Sequence, residues 1–279
     1  MTYEELENRI TDWAQQRDDV RAVVIIGSRA RQDHPADKFS DLDLCIFTMN
    51  PDDYRVDNGW LAGFGNLWLA VYEPTGAGNP EWMALYEGGL KADLVFFQAD
   101  RVLNTLTEQI AHAPHETVFR RGVRVLFNRY GGSAVIDLPA PRSEPPTKEA
   151  FDHMTAEFLM SVTRLHKFIQ RGDLWRSMTV NTCKMRAGLV QLMGWHAHCV
   201  LGSDDIWYDG RFMDEWADQQ VLQSLPDIFP QYEAQALRTA LLTQLDIFHR
   251  LGMQTAAELG YSFPTEVYEH IQSMMQTSS

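Results

Sequence analysis

The chain has 279 residues, of which 45% are hydrophobic and 22% charged, ordinary values for a soluble globular protein with one large domain or two ordinary ones. Its formal net charge of −14 disfavours a broad nucleic-acid surface, which needs clustered Lys and Arg, and fits either plain solubility or a negative cleft that draws in a cationic substrate. Three scattered cysteines, Cys45, Cys183 and Cys199, exclude a disulfide framework; with an acidic, amphipathic N-terminus unlike a signal peptide and no apolar run of roughly 18 residues, they lead us to expect a cytoplasmic protein with no membrane partner.

In chain order, Tyr3, Leu6, Ile10, Trp13 and Ala14 recur at helical spacing and predict a helix over 3–17. "VRAVVIIG" (20–27) is β-branched and continuously apolar, as a buried strand should be, and "LDLCIFT" (42–48) is a second strand. Pro51 starts a short helix, and "NLWLAVY" (66–72) is a third strand. Residues 81–97 hold two strands about a Gly88-Gly89 turn, followed by a helix over 100–112 and a short strand over 123–128. Residues 131–150 carry four prolines and a Gly pair, a linker composition. Beyond it, Phe151, Met154, Phe158, Leu159, Val162, Leu165 and Ile169 form one helical face, and further helices are expected near 174–201, 211–222, 230–259 and 264–276. The expected class is α+β: a mixed-sheet domain over 1–145, then an all-helical bundle over 146–279.

Three features bear chemistry. Residues two apart on a strand share a face, so Asp41 and Asp43 aim both carboxylates the same way. Like charges so placed repel, and a divalent cation such as Mg²⁺ would relieve them; a solvated strand edge is the plainer alternative. Gly27-Ser28 closes the preceding strand, as a simple turn or as a place where backbone approaches a phosphate. Asp93 interrupts an apolar strand, where it needs a partner: a metal, or a structural hydrogen bond.

Gly-Ser, then D-x-D about a dozen residues on, then a lone strand Asp together resemble the nucleotidyltransferase superfamily. The segments "GSRAR…DKFSDLDLCIF", "YEGGLKADL", "FLMSVTRLHKFIQRGDLW" and "LVQLMGWHAH" resemble the bacterial aminoglycoside 6-adenylyltransferases, or streptomycin adenylyltransferases, from about Glu4 to about Tyr268. The resemblance implies a nucleotidyltransferase domain followed by a helical domain, and transfer of AMP from ATP to a streptomycin hydroxyl. It also implies that Asp41, Asp43 and Asp93 hold two Mg²⁺ ions and that Gly27 and Ser28 contact the triphosphate. Glu157 matches a Glu of the family pattern "EF" and is the candidate base, although Asp93 can also take that proton.

Other residues stay open between two uses. Arg29 can grip a phosphate or be a surface charge, and Arg31 lies two residues on. Lys184 and Arg186 can bind the triphosphate or face solvent on their helix. His196 and His198 point about 200° apart on a helix, so they do not share an ion. Trp195, Trp207, Tyr208, Phe212 and Trp216 are core or pocket wall. Asp204, Asp205, Asp209, Asp214, Glu215 and Asp218 favour a polycationic acceptor only if they face a cleft.

Overall fold

The computed structural model describes residues 1–31, 33–113, 116–131, 136, 138–139 and 142–277. The chain divides into two compact units, Met1–Pro141 and Arg142–Ser279. Part of the Pro- and Gly-rich linker expected over 131–150, residues 132–135, 137 and 140–141, lies outside the described residues, as does Gln32 in the loop before Asp41.

The first unit is built on one six-stranded mixed sheet. Its strands are β1 (Val20–Ile26), β2 (Leu42–Thr48), β3 (Leu67–Tyr72), β4 (Glu81–Tyr86), β5 (Leu90–Gln98) and β6 (Arg124–Asn128), in the order β3-β4-β5-β2-β1-β6. Only β2 and β5 run parallel; every other neighbour pair is antiparallel. The β4–β5 hairpin turns at Gly88 and Gly89, both with positive φ (+87° and +77°), which other residues adopt only with strain.

Period-two alternation sorts the strands onto two faces. One face (Val23, Ile25, Leu44, Ile46, Leu94, Phe96) packs against Leu6, Ile10 and Ala14 of helix α1 (Tyr3–Gln15), whose start is fixed by a capping box between Thr2 and Glu5. The other face (Val24, Cys45, Phe47, Phe97) is covered by Phe119 and by Leu106 and Ile110 of α2 (Leu106–Ala111). On that second face the apolar series stops at the starts of β2 and β5, where Asp43 and Asp93 stand in its place. Two expectations shorten: residues 51–64 form two 3₁₀ turns rather than an α-helix, and the helix expected over 100–112 is only α2. Thr105 caps α2 with Glu108, so the backbone before it is extended.

The second unit is helical, with α3 (Lys148–Gln170), α4 (Leu174–Val180), α5 (Arg186–Cys199), α6 (Met213–Trp216), α7 (Gln219–Ser224), α8 (Ala234–Leu259) and α9 (Thr265–Thr277). The apolar face of α3 is buried at all seven positions read from its spacing, and Phe158 stacks on Phe248 with ring centroids 3.7 Å apart. The helix expected over 174–201 is interrupted by a π-turn, Asn181–Met185, between α4 and α5. There Asn181, fully buried, accepts a 2.6 Å hydrogen bond from Gln244 Nε2. The helix expected over 211–222 divides because Ala217 is extended and Asp218 caps α7, accepting from the backbone N–H groups of Gln220 and Val221.

Candidate active site

The parallel pairing of β2 with β5 puts Asp43 directly beside Asp93, and the antiparallel pairing of β1 with β2 puts Ile26 beside Asp43. Gly27 follows at φ +67°, and a Cβ there would overlap Asp43 Oδ2. The turn Gly27–Arg29 is closed by Ala30 and Arg31 N–H groups, each donating to Gly27 O at 3.1 Å. The D-x-D spacing therefore does what period two requires, and the glycine gives the Asp43 carboxylate its room.

Arg29 is committed to backbone. Its Nε donates to Asp41 O at 3.0 Å, its Nη2 donates to Ser40 O at 2.8 Å, and its guanidinium lies 3.6 Å from the centre of the Tyr3 ring. The Tyr3 hydroxyl accepts from Lys91 N–H at 3.2 Å and donates to Lys91 O at 3.4 Å. One tyrosine of α1 thus ties the approach to β2 to the start of β5. Arg31, 8% exposed, donates from Nε to His34 O at 2.7 Å inside the same loop.

Lys91 joins the carboxylates directly. Its Nζ donates to Asp93 Oδ2 at 2.7 Å and to Asp41 Oδ2 at 3.3 Å. Burial lowers its pKa, but the hydrogen bond and charge of Asp93, then those of Asp41, outweigh that and raise it above the ordinary lysine value. Glu81 on β4 lies in the same field: burial first, then the charges of Asp93 and Glu73, push its carboxyl above the usual range. Cys45, fully buried, has its thiol pushed up by burial and then by Asp43 and Glu81, which leaves it protonated and inert. Lys91, Tyr3 and Glu81 were not singled out from the sequence. The signal for Lys91 was present: it stands two residues before Asp93 on one strand, the same spacing that grouped Asp41 with Asp43.

Asp93 Oδ1 is buried with no hydrogen-bond partner, and it belongs to a carboxylate in register with Asp43. A hard oxygen left in that state suits Mg²⁺. Among the described residues no three His, Cys, Asp or Glu side chains form a ready cage, and Lys91 stands between Asp41 and Asp93. The donor chemistry of Asp43 and Asp93 suits a divalent ion.

The candidates in the helical unit fall into two cavities. Glu157 and Lys184 line one of about 540 Å³, together with Arg164, Cys183 and Gln191. Glu157 is 71% exposed, with His153 Nε2 3.8 Å from its Oε2. Arg186 lines a different cavity of about 590 Å³ with Tyr208 and Phe229, its guanidinium 4.4 Å from the centre of the Phe229 ring. Burial lowers the Arg186 pKa. Residues two apart on a helix point to opposite sides, so Lys184 and Arg186 do not share a cavity.

The remaining open residues are mostly structural. His196 Nε2 bonds Gln254 Oε1 at 2.8 Å and His198 Nδ1 bonds Ser203 O at 3.1 Å. Trp207 and Trp216 are buried core, whereas Tyr208 is 82% exposed. In the acidic stretch, Asp218 caps α7 and accepts from Arg250 Nη2 at 2.8 Å. Burial raises its pKa, but the Arg250 hydrogen bond and the Val221 N–H bring it below the usual value.

A family model described as streptomycin adenylyltransferase matches residues 1–277. An aminoglycoside 6-adenylyltransferase of Bacillus subtilis is 22% identical over 269 residues, covering 94% of this chain and 92% of that protein. One of Campylobacter jejuni is 20% identical, covering 88% and 85%. The crystal structure of an aminoglycoside 6-adenyltransferase from Bacillus subtilis superposes with a TM-score of 0.46 at 19% identity, over 100% of this chain and 98% of that one.

Proposed function

Because this chain belongs to the streptomycin adenylyltransferase family, and so is a nucleotidyltransferase, we propose that it transfers AMP from ATP to a hydroxyl of an aminoglycoside such as streptomycin. The acceptor oxygen forms a bond to the α-phosphorus, the bond from that phosphorus to the bridging oxygen breaks, pyrophosphate leaves, and the hydroxyl proton passes to a base. The observation that carries the reading is the family match along the whole chain, on a fold whose parallel strands set Asp43 beside Asp93.

Roles follow from the contacts. Asp41, Asp43 and Asp93 are the candidate ligands of Mg²⁺, which when bound polarises phosphoryl oxygens and offsets charge on the leaving group. Gly27 and Ser28 let the triphosphate approach the backbone, where N–H groups and a hydroxyl meet it. Arg29 acts through the chain: it holds the carbonyls of Ser40 and Asp41 and so aims the Asp41 carboxylate. Glu157, exposed and weakly paired, is the candidate base, and Lys184 in the same cavity is the candidate cation for the phosphates. Arg186, stacked on Phe229 elsewhere, is not assigned to them. The net charge of −14 favours encounter with a polycationic acceptor. Among the described residues no helix is long and apolar enough to cross a membrane; as a consumer of ATP, the enzyme of this reading works in the cytoplasm.

A matrix of nucleoside triphosphates against hydroxylated acceptors, read by pyrophosphate release, tests the reading. Release that requires both ATP and an aminoglycoside supports it. Release with only non-aminoglycoside acceptors, or ATP binding with no release, contradicts it.

A further inference from the structure

The carboxylate set already contains one cation. The Lys91 ammonium donates to Asp93 Oδ2 at 2.7 Å and to Asp41 Oδ2 at 3.3 Å, so a positive charge already links those two carboxylates. Its placement is built from the backbone outward. Lys91 and Asp93 share a strand face, and the Lys91 N–H and C=O both bond the Tyr3 hydroxyl. The Tyr3 ring carries Arg29, which holds the carbonyls of Ser40 and Asp41. The lysine and the first aspartate of D-x-D are therefore fixed to each other twice, through an ion pair and through this frame.

What the ammonium leaves over is as informative. Asp93 Oδ1 is buried and has no partner, and its carboxylate stands in register with Asp43. Asp93 thus turns one oxygen to the lysine and keeps the other for a second cation. We propose that Lys91 fills one of the two cation positions implied by the family resemblance, so that the protein itself holds a single divalent ion, on Asp43 and Asp93. The inference rests on the reading that these aspartates bind a metal. A tethered +1 charge on Asp93 Oδ2 takes an oxygen that a second ion would require and repels that ion. Lys91 is 38% exposed, so what keeps its ammonium in place is its two carboxylate contacts and its fixed position on β5 rather than burial.

Mn²⁺ binding to the full chain, without nucleotide so that every ion counted is held by protein, tests this by electron paramagnetic resonance of the free ion. The wild type is expected to bind one ion, Lys91→Arg one, and Lys91→Gln two, while Asp43→Asn weakens binding at least about tenfold. Two ions on the wild type overturn the proposal and leave the metal reading standing; that measurement needs no variant to fold. One ion on a Lys91→Gln protein that melts cooperatively overturns it as well. Equal Mn²⁺ binding by Asp43→Asn and wild type, or none by either, removes the metal reading and the proposal together.

Discussion

Gly27 is fixed by two independent constraints, a φ of +67° and the Asp43 carboxylate lying where its Cβ would be. Either one penalises any other residue, the first by about 1–2 kcal/mol for an L-residue in the left-handed region. Gly27→Ala should therefore lower the unfolding free energy of the sheet unit by about that amount and displace Asp43. Turnover should fall by about tenfold or more, since displaced catalytic groups lose their alignment. Urea titration followed by steady-state kinetics checks both, and a variant with normal stability and turnover contradicts the packing described. At this scale the aspartates were legible, because charge on an apolar strand stands out at period two. Lys91 carries the same period-two signal, but a lysine beside a hairpin turn also fits an ordinary surface position. Tyr3 was legible as part of a helix face, but its hydroxyl contacts Lys91 across 88 residues, a partnership that no local pattern encodes.

The π-turn is the element that most changes the helical unit. Asn181 is buried there, accepting from Gln244 Nε2 at 2.6 Å, with its own Nδ2 3.5 Å from Ile228 O. Asn181→Ala takes away the Gln244 partner and should cost about 1–3 kcal/mol, the penalty for stranding a buried polar group. Guanidinium unfolding of the helical unit measures it; a change near zero would mean the buried amides find other partners. Sequence periodicity carries the strands and the long helices well here: β1, β2, the β4–β5 hairpin and the seven buried positions of α3 stand where their patterns put them. It does not carry the interruptions. A π-turn within 174–201 keeps helical composition throughout, and the break at Ala217 depends on Asp218 choosing to cap α7 and pair with Arg250, 32 residues away.

Two compact units in one chain need not melt together. Their responses to acid should differ, because His166, His196 and His249 all lie in the helical unit and burial lowers the pKa of each below 6.5. The unfolded chain takes up these protons and the folded unit resists them. The stability they contribute is therefore complete above about pH 6.5 and is lost as pH falls from there through the lowered folded values. The helical unit's Tm should drop by roughly 2–4 °C or more between pH 7 and pH 5. His196→Gln should flatten that slope, as differential scanning calorimetry of wild type and variant will show; an unchanged slope would assign the acid sensitivity elsewhere.

At the scale of the whole molecule, strand pairing and helix faces are written in periodicity, whereas a sugar pocket is not. The central claim is that the paired aspartates drive adenylyl transfer to an aminoglycoside. It is tested most directly by mass spectrometry of streptomycin incubated with Mg-ATP and either the wild type or Asp43→Asn. The wild type should add one adenylyl group to the antibiotic, and Asp43→Asn should do so on the order of 10²–10³-fold more slowly. An unmodified antibiotic with the wild type, or equal rates from the two proteins, would contradict the account.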